Sequence, residues 1–132
     1  VSGLLDDVAA FLEAQSFTTG WAIFKSYMPD NPDRAICLYE VPGQAPETTM
    51  AIDYPQFQLR ARGGTYEYAV TRQLLEDCYL VLHCGNVTDS STSPPAAGYV
   101  YCYAKNSGSV PLGNDHKDRP QFSQDYRLMR SL

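Results

Sequence analysis

From Gln56 to Arg62 polar and apolar residues alternate without a break, with Phe57, Leu59 and Ala61 on one side and Gln56, Gln58, Arg60 and Arg62 on the other. Strand side chains alternate between faces, so the pattern predicts a strand over 56–62 with one buried face. Pro55 stands at its first position, where a missing N–H is tolerated, and Gly63-Gly64 ends it. The period then changes. Val70, Leu74, Cys78, Val81 and Leu82 share one helical face, with Arg72 and Glu76 opposite. Thr65 is the expected N-cap, and Glu67 falls in the first turn, near the positive end of the helix dipole.

The remaining segments fit around this strand and helix. Leu4, Leu5, Val8, Phe11 and Leu12 recur at helical spacing behind Ser2 as N-cap, with Asp6 and Asp7 near the start and an end near Gln15. A short apolar run at 21–24 reads as a strand, and Pro29-Asp30-Asn31-Pro32-Asp33 as a turn. Residues 34–39 predict a second strand, buried on both faces. Residues 41–53 carry Pro42, Gly43 and Pro46 without periodicity and predict an exposed loop. A second long loop, rich in Ser, Thr and Pro, is expected over 85–98. A strand follows over 99–104 with tyrosine at each odd position, then an extended piece at 110–113 and a polar turn at 114–120. Alternation returns over 122–128, with Phe122, Tyr126 and Leu128 on one face. The element order predicts an α+β fold, one mixed or antiparallel β-sheet with two α-helices packed on it and long loops, in a single domain over 1–132.

A chain of 132 residues is long enough for one hydrophobic core. Its formal charge of −5 is unevenly placed: residues 1–54 hold eight acids and two bases, residues 55–132 seven acids and eight bases. An acidic chain is poorly suited to gripping nucleic acid on its own, because phosphate affinity needs clustered Lys and Arg. No apolar run approaches the roughly 20 residues that span a bilayer. Ten tyrosines supply amphipathic rings suited to strands and to surfaces buried in an assembly.

Candidate chemistry is sparse. Cys37, Cys78 and Cys102 lie in apolar patterns and read as small core residues of a reduced protein. His83-Cys84 near Cys78 invites a metal or thiol reading, but zinc sites pair their ligands at short spacing twice, and no second pair exists here. Nothing marks His83 or His116 as the base that a Cys84 nucleophile would need, and His83 is expected to cap the helix C-terminus instead. Asn86-Val87-Thr88 matches a glycosylation sequon by chance. No catalytic, metal or cofactor residue is assigned. The Gln58/Arg60/Arg62 stripe reads either as a solvated sheet face or as a contact with a neighbouring subunit or a polar channel. The tyrosine stripe of Tyr101 and Tyr103 reads first as core filling, with a packing surface between subunits as the alternative.

Three segments, taken in order, carry a resemblance. They are Ile23-Phe24 through Met28-Pro29-Asp30-Asn31-Pro32-Asp33, Tyr54-Pro55 through Arg60-Ala61-Arg62-Gly63, and Leu112-Gly113-Asn114-Asp115 through Arg119-Pro120-Gln121-Phe122-Ser123. The set resembles the tail terminator (tail completion) proteins of long-tailed bacteriophages, often labelled phage minor capsid proteins. Two departures stand out: Asp118 where members often have Gly, and Asp125 where they often have Asn. The resemblance implies a virion protein without enzymatic activity, at the tail–neck junction and assembled in the host cytoplasm. It implies a homohexameric ring that caps the tail tube, stops polymerisation and presents a surface to the head connector. DNA would pass through the lumen without specific binding, and no membrane would be involved. A cyclic ring uses two different patches on each subunit. The candidates are the polar face Gln58, Arg60 and Arg62, the acidic set Asp30, Asp33, Glu40 and Glu47, and the tyrosines Tyr101 and Tyr103. Loop candidates for contact with tail tube and connector are Gly43, Gln44 and Glu47 in the first loop and Asp89, Ser91 and Pro94 in the second. The alternatives are a neck or head-completion protein, a small enzyme using Cys84 or His83, and a general soluble binding domain.

Overall fold

The computed structural model describes residues 4–44, 52–83, 99–105 and 108–131. Helix α1 (Leu4–Glu13) leads through a 3₁₀ turn at Ser16–Thr18 to β1 (Ala22–Lys25) and β2 (Ala35–Gln44). Next come β3 (Ile52–Arg62), α2 (Tyr68–Leu82), β4 (Tyr99–Ala104), β5 (Val110–Asn114) and β6 (Pro120–Ser131). The strands form one mixed sheet in the order β1-β2-β3-β6-β4, with β5 also paired to β6. Among the described strand pairs, only β1–β2 is parallel. Strand β6 therefore carries β3 along one edge and two short strands, β5 then β4, along the other. This is the α+β arrangement expected from the sequence.

Both helices cover the same face. Leu4, Leu5, Val8, Ala9 and Leu12 of α1 join Leu74, Leu75, Cys78 and Leu82 of α2 in a single core. Beneath them lie Ile36 and Leu38 of β2, Phe57, Leu59 and Ala61 of β3, and Phe122, Tyr126 and Leu128 of β6. The register stacks these in rows, such as Ile36–Ala61–Phe122, because directly opposed residues share a face. Phe57 and Tyr126 stack with ring centroids 5.2 Å apart. Cys37, Cys78 and Cys102 are buried free thiols.

The structure corrects several sequence expectations. Residues 41–44 and 52–53 are not loop: β2 runs on to Gln44 and β3 begins at Ile52. Gly43 and Gln44, expected in a loop, are the last two residues of β2. The ladder shifts between Val41 and Gln44, so Pro42 and Gly43 sit in a bulge that asks no N–H of the proline. Pro55 stands opposite that bulge, inside the strand rather than at its first position. Sequence periodicity broke there because the ladder itself breaks there.

Helix α2 begins at Tyr68, with Glu67 rather than Thr65 at the cap. That start rotates the helix so that Thr71 is fully buried while Val70 is 42% exposed. The start is fixed by contacts around Gly63 and Gly64. A Cβ on Gly63 would lie 1.8 Å from Thr71 Oγ1, and one on Gly64 would lie 2.1 Å from Glu67 Oε1. Gly64 N–H instead donates to Glu67 Oε1 at 2.9 Å, and Arg34 holds the same carboxylate with two N–H groups. Tyr103 of β4 does not fill the core either: Cys102 and Ala104 do, and Tyr103 faces the other way. The N-cap expected at Ser2, most of the loop expected over 41–53 and the loop over 85–98 lie outside the described residues.

Candidate functional site

The sheet face opposite the helices carries the polar positions of β3, and it has two parts. At one end, residues 26–34 fold back over it. Cys37 Sγ donates to Tyr27 O at 3.1 Å beneath this segment. Arg62, only 4% exposed, donates to the backbone carbonyls of Pro29 and Pro32 at 2.7 Å each and of Asp33 at 3.2 Å. The Arg62 side chain is thus consumed inside the subunit.

Beside it sits Arg119, whose side chain is 1% exposed. It donates to Asp30 Oδ1 at 2.7 Å, Asp33 Oδ1 at 3.1 Å and Asp115 Oδ2 at 2.7 Å, and to the Asp30 carbonyl at 2.6 Å. Lys117 reaches Asp30 Oδ2 at 2.6 Å. Lys117 and Arg119 together hold the Asp30 carboxyl near a pKa of about 2. Burial opposes ionisation of Asp115, but hydrogen bonds from the Arg119 and Lys117 backbone and the Arg119 guanidinium outweigh it and lower its pKa. Desolvation and the neighbouring charge of Arg119 lower that of Arg62. Asp30 and Asp33, expected as exposed acids for a neighbouring subunit, are ion-paired within the chain. The hub joins the 26–34 segment to the β5–β6 turn. Asp118 in that turn adopts φ 56°, the left-handed region that glycine enters without a Cβ penalty.

Beyond the folded-back segment no described helix covers the face. Arg60 lies over the Tyr39 ring at 5.3 Å and donates to Gln58 Oε1 at 3.1 Å. Gln58 passes the chain on to Asp125 Oδ1 at 3.1 Å. Arg127 lies between two rings, 4.7 Å from Tyr54 and 5.9 Å from Tyr103. Lys105 donates to Gln56 Oε1 at 2.9 Å. Guanidinium over an aromatic face gains about 0.5–1 kcal/mol and stiffens both groups. Of the sequence candidates, Gln58, Arg60 and Tyr103 meet here; Tyr101 shares β4, and its side chain lies outside the described residues. Glu40 is exposed near the end of β2, on the helix side. Glu47, Asp89, Ser91 and Pro94 lie outside the described residues. Sequence reasoning missed Arg119, Arg127 and Lys105. Arg127 was legible in principle, since it alternates with the buried Tyr126 and Leu128 and so had to face the open side.

No enzymatic constellation assembles among the described residues. His83 is the C-cap of α2, as expected, its backbone N–H donating to Tyr79 O at 2.9 Å; its Nδ1 accepts the Ala104 N–H at 2.9 Å, and its ring stacks on Tyr79. That contact closes an outward-facing donor on the β4 edge. Cys84 lies outside the described residues. A cleft of about 410 Å³ beside α2 is lined by Arg72, Leu75, Tyr79, Ser109 and Gln124, and no group of three metal-ligating side chains occurs among the described residues. No described helix is long and apolar enough to cross a membrane.

Comparison with known proteins gives two findings. Residues 11–130 match a family model described as bacteriophage tail terminator protein. A chain in the virion of a native gene transfer agent particle has the same fold, with a TM-score of 0.65 and 14% identity over 98% of this chain and 95% of that one. No curated protein matches the sequence.

Proposed function

Because the chain belongs to the bacteriophage tail terminator family, and so is a structural protein of the virion, we propose that six copies form a ring on the end of the finished tail tube. The ring stops polymerisation and offers its far side to the head connector, and DNA passes through its lumen. The observation that carries this reading is the sheet face that no described helix covers, furnished with Tyr, Arg and Gln. Those residue types are enriched at protein interfaces, where rigid amphipathic rings and guanidinium groups give area at low entropic cost. A closed ring joins unlike patches head to tail, and this face serves as one of them through Gln58, Arg60, Tyr101 and Tyr103. Arg62, Asp30 and Asp33 contribute by holding the edge of that patch in shape, and Glu40 by its exposed charge. Glu47, Asp89, Ser91 and Pro94 serve the axial contacts with tube and connector. The net charge of −5 suits a conduit through which DNA must slide without being held.

The test is to add purified protein to assembling tail tubes and follow them by electron microscopy. The expected result is a ring at one tube end and arrested elongation. Tubes that elongate unchanged, with the protein never found at an end, would overturn the reading. Deleting residues 90–95 should leave a folded protein that fails to complete tails.

A further inference from the structure

The cations whose side chains are described are sorted by location. Lys25, Arg34, Arg72, Lys117 and Arg119 each pair with a carboxylate of the same subunit, and Arg62 is held by backbone carbonyls. Arg60, Lys105 and Arg127 have only neutral partners among the described residues: a tyrosine ring and Gln58, Gln56, and two tyrosine rings. All three lie on the helix-free face. The Arg127 Nε is, in addition, buried without an acceptor among the described residues. Its guanidinium therefore sits between two rings, with no counter-charge paired to it among the described residues. The carboxylates show the converse. Glu13 at the end of α1 and Glu40 on β2 are exposed and make no hydrogen bond or close ion pair among the described residues, although Lys25 lies near enough to Glu13 for their charges to interact. Both belong to the helix side of the sheet, over the β1–β2 edge, where α1 also brings Asp6 and Asp7.

We infer that Arg127 and Lys105 are the cationic half of a head-to-tail contact with a second copy of this chain, whose Glu13 and Glu40 supply the anionic half. The inference rests on the ring reading and names the surfaces that close it. Three features favour a second copy. The unmatched charges have opposite signs, they lie on opposite sides of the sheet, and a heterologous ring contact requires two such different patches. The tyrosines flanking Arg127 keep it extended in the geometry the partner meets, which lowers the ordering cost on association. Rim charges of this kind set specificity and salt dependence, so the contact weakens as ionic strength rises.

The test uses two full-length variants, Arg127→Glu with Lys105→Glu, and Glu13→Lys with Glu40→Lys, assayed for rings on tail tubes by microscopy and cross-linking. Each variant alone should assemble about tenfold or more weakly than the wild type, because every interface then opposes like charges. Mixed one to one they should recover, since copies alternating around an even-numbered ring oppose unlike charges at every contact. Recovery on mixing also shows that both variants are folded. Wild-type protein that forms no ring in any condition overturns the ring reading itself. Wild-type rings together with unimpaired Arg127→Glu/Lys105→Glu rings overturn this inference alone. So does an impaired variant that the mixture fails to rescue, which would place the anion on another component. Normal rings with retarded DNA ejection would assign the cations to the DNA backbone and equally overturn it.

Discussion

Arg119 donates to Asp30 at 2.7 Å across 89 residues of sequence, tying the segment between β1 and β2 to the turn between β5 and β6. The same guanidinium serves Asp33 and Asp115, so one buried cation offsets three carboxylates. Removing one partner of a buried pair costs about 3–5 kcal/mol, but Asp30 and Asp33 are half exposed and screened by solvent. Arg119→Ala should therefore cost about 2 kcal/mol, read as a lower urea midpoint. Arg119→Lys keeps the charge without the fork and should recover only part of it. An unchanged midpoint for Arg119→Ala would remove the hub from the stability account.

The hub also sets the response to acid. Hydrogen bonds from Lys117 and Arg119 take the Asp30 pKa from 3.8 to about 2. The folded carboxyl thus binds its proton less tightly than the unfolded one. Its stabilisation is complete above about pH 4 and is lost as pH falls through about 2. The shift of Asp115 has the same sign. Thermal unfolding of the wild type should fall across this window, with a shallower slope for Asp30→Asn. Parallel slopes would contradict the assignment.

Most of the core was legible because its period was clean: Phe57, Leu59 and Ala61, and the apolar stripe of α1, lie where alternation and helical spacing put them. Legibility failed where one contact reset a local pattern. The Arg34–Glu67 pair and the close approach at Gly63 fix the helix start, and no helical period encodes either, so periodicity alone puts Val70 in the core in place of Thr71. The bulge at Pro42 and Gly43 hid the end of β2 in the same way. The polar face was harder. Alternation placed Arg60 and Arg62 side by side, but whether each meets solvent, backbone or a ring depends on a segment some thirty residues upstream, whose fold-back the sequence does not announce.

Gly63 is required by space rather than by backbone angle. A methyl group there meets Thr71 Oγ1 at 1.8 Å, and that hydroxyl is committed to the Glu67 carbonyl at 2.8 Å. Gly63→Ala should lower stability by about 1–3 kcal/mol, the range for overpacking a filled site. Gly63→Ala combined with Thr71→Ala should regain part of the loss. A neutral Gly63→Ala in denaturant titration would mean that the strand-to-helix junction yields more readily than its packing indicates.

Asp118 poses the opposite case. Its φ of 56° is strained for most residues, and its carboxylate gains only an exposed hydrogen bond from Tyr66 at 3.2 Å. Asp118→Gly should be neutral or slightly stabilising, and Asp118→Ala should be less stable than Asp118→Gly by about 1 kcal/mol, the penalty for a Cβ in the left-handed region. Thermal melts of the pair isolate the backbone contribution, because both variants lose the same hydrogen bond. Equal melting temperatures would refute the strain argument.

Arg60 and Arg62 stand two residues apart on one face, yet their reversal should separate folding from assembly. Arg62→Glu removes the donors that hold four carbonyls and sets an acid beside Asp30 and Asp33. A loss of about 3 kcal/mol or more follows from burying unpaired acceptors with like charges. Arg60 is half-buried and leans on Tyr39 and Gln58, both neutral, so Arg60→Glu should change stability by no more than about 1 kcal/mol. On the ring reading it should nevertheless impair tail capping, because it reverses a charge on the proposed contact face. Melting temperature and tube capping measured on the same preparations decide this. Arg62→Glu as stable as wild type would free that arginine for an outward role, and Arg60→Glu capping tubes normally would take Arg60 out of the contact.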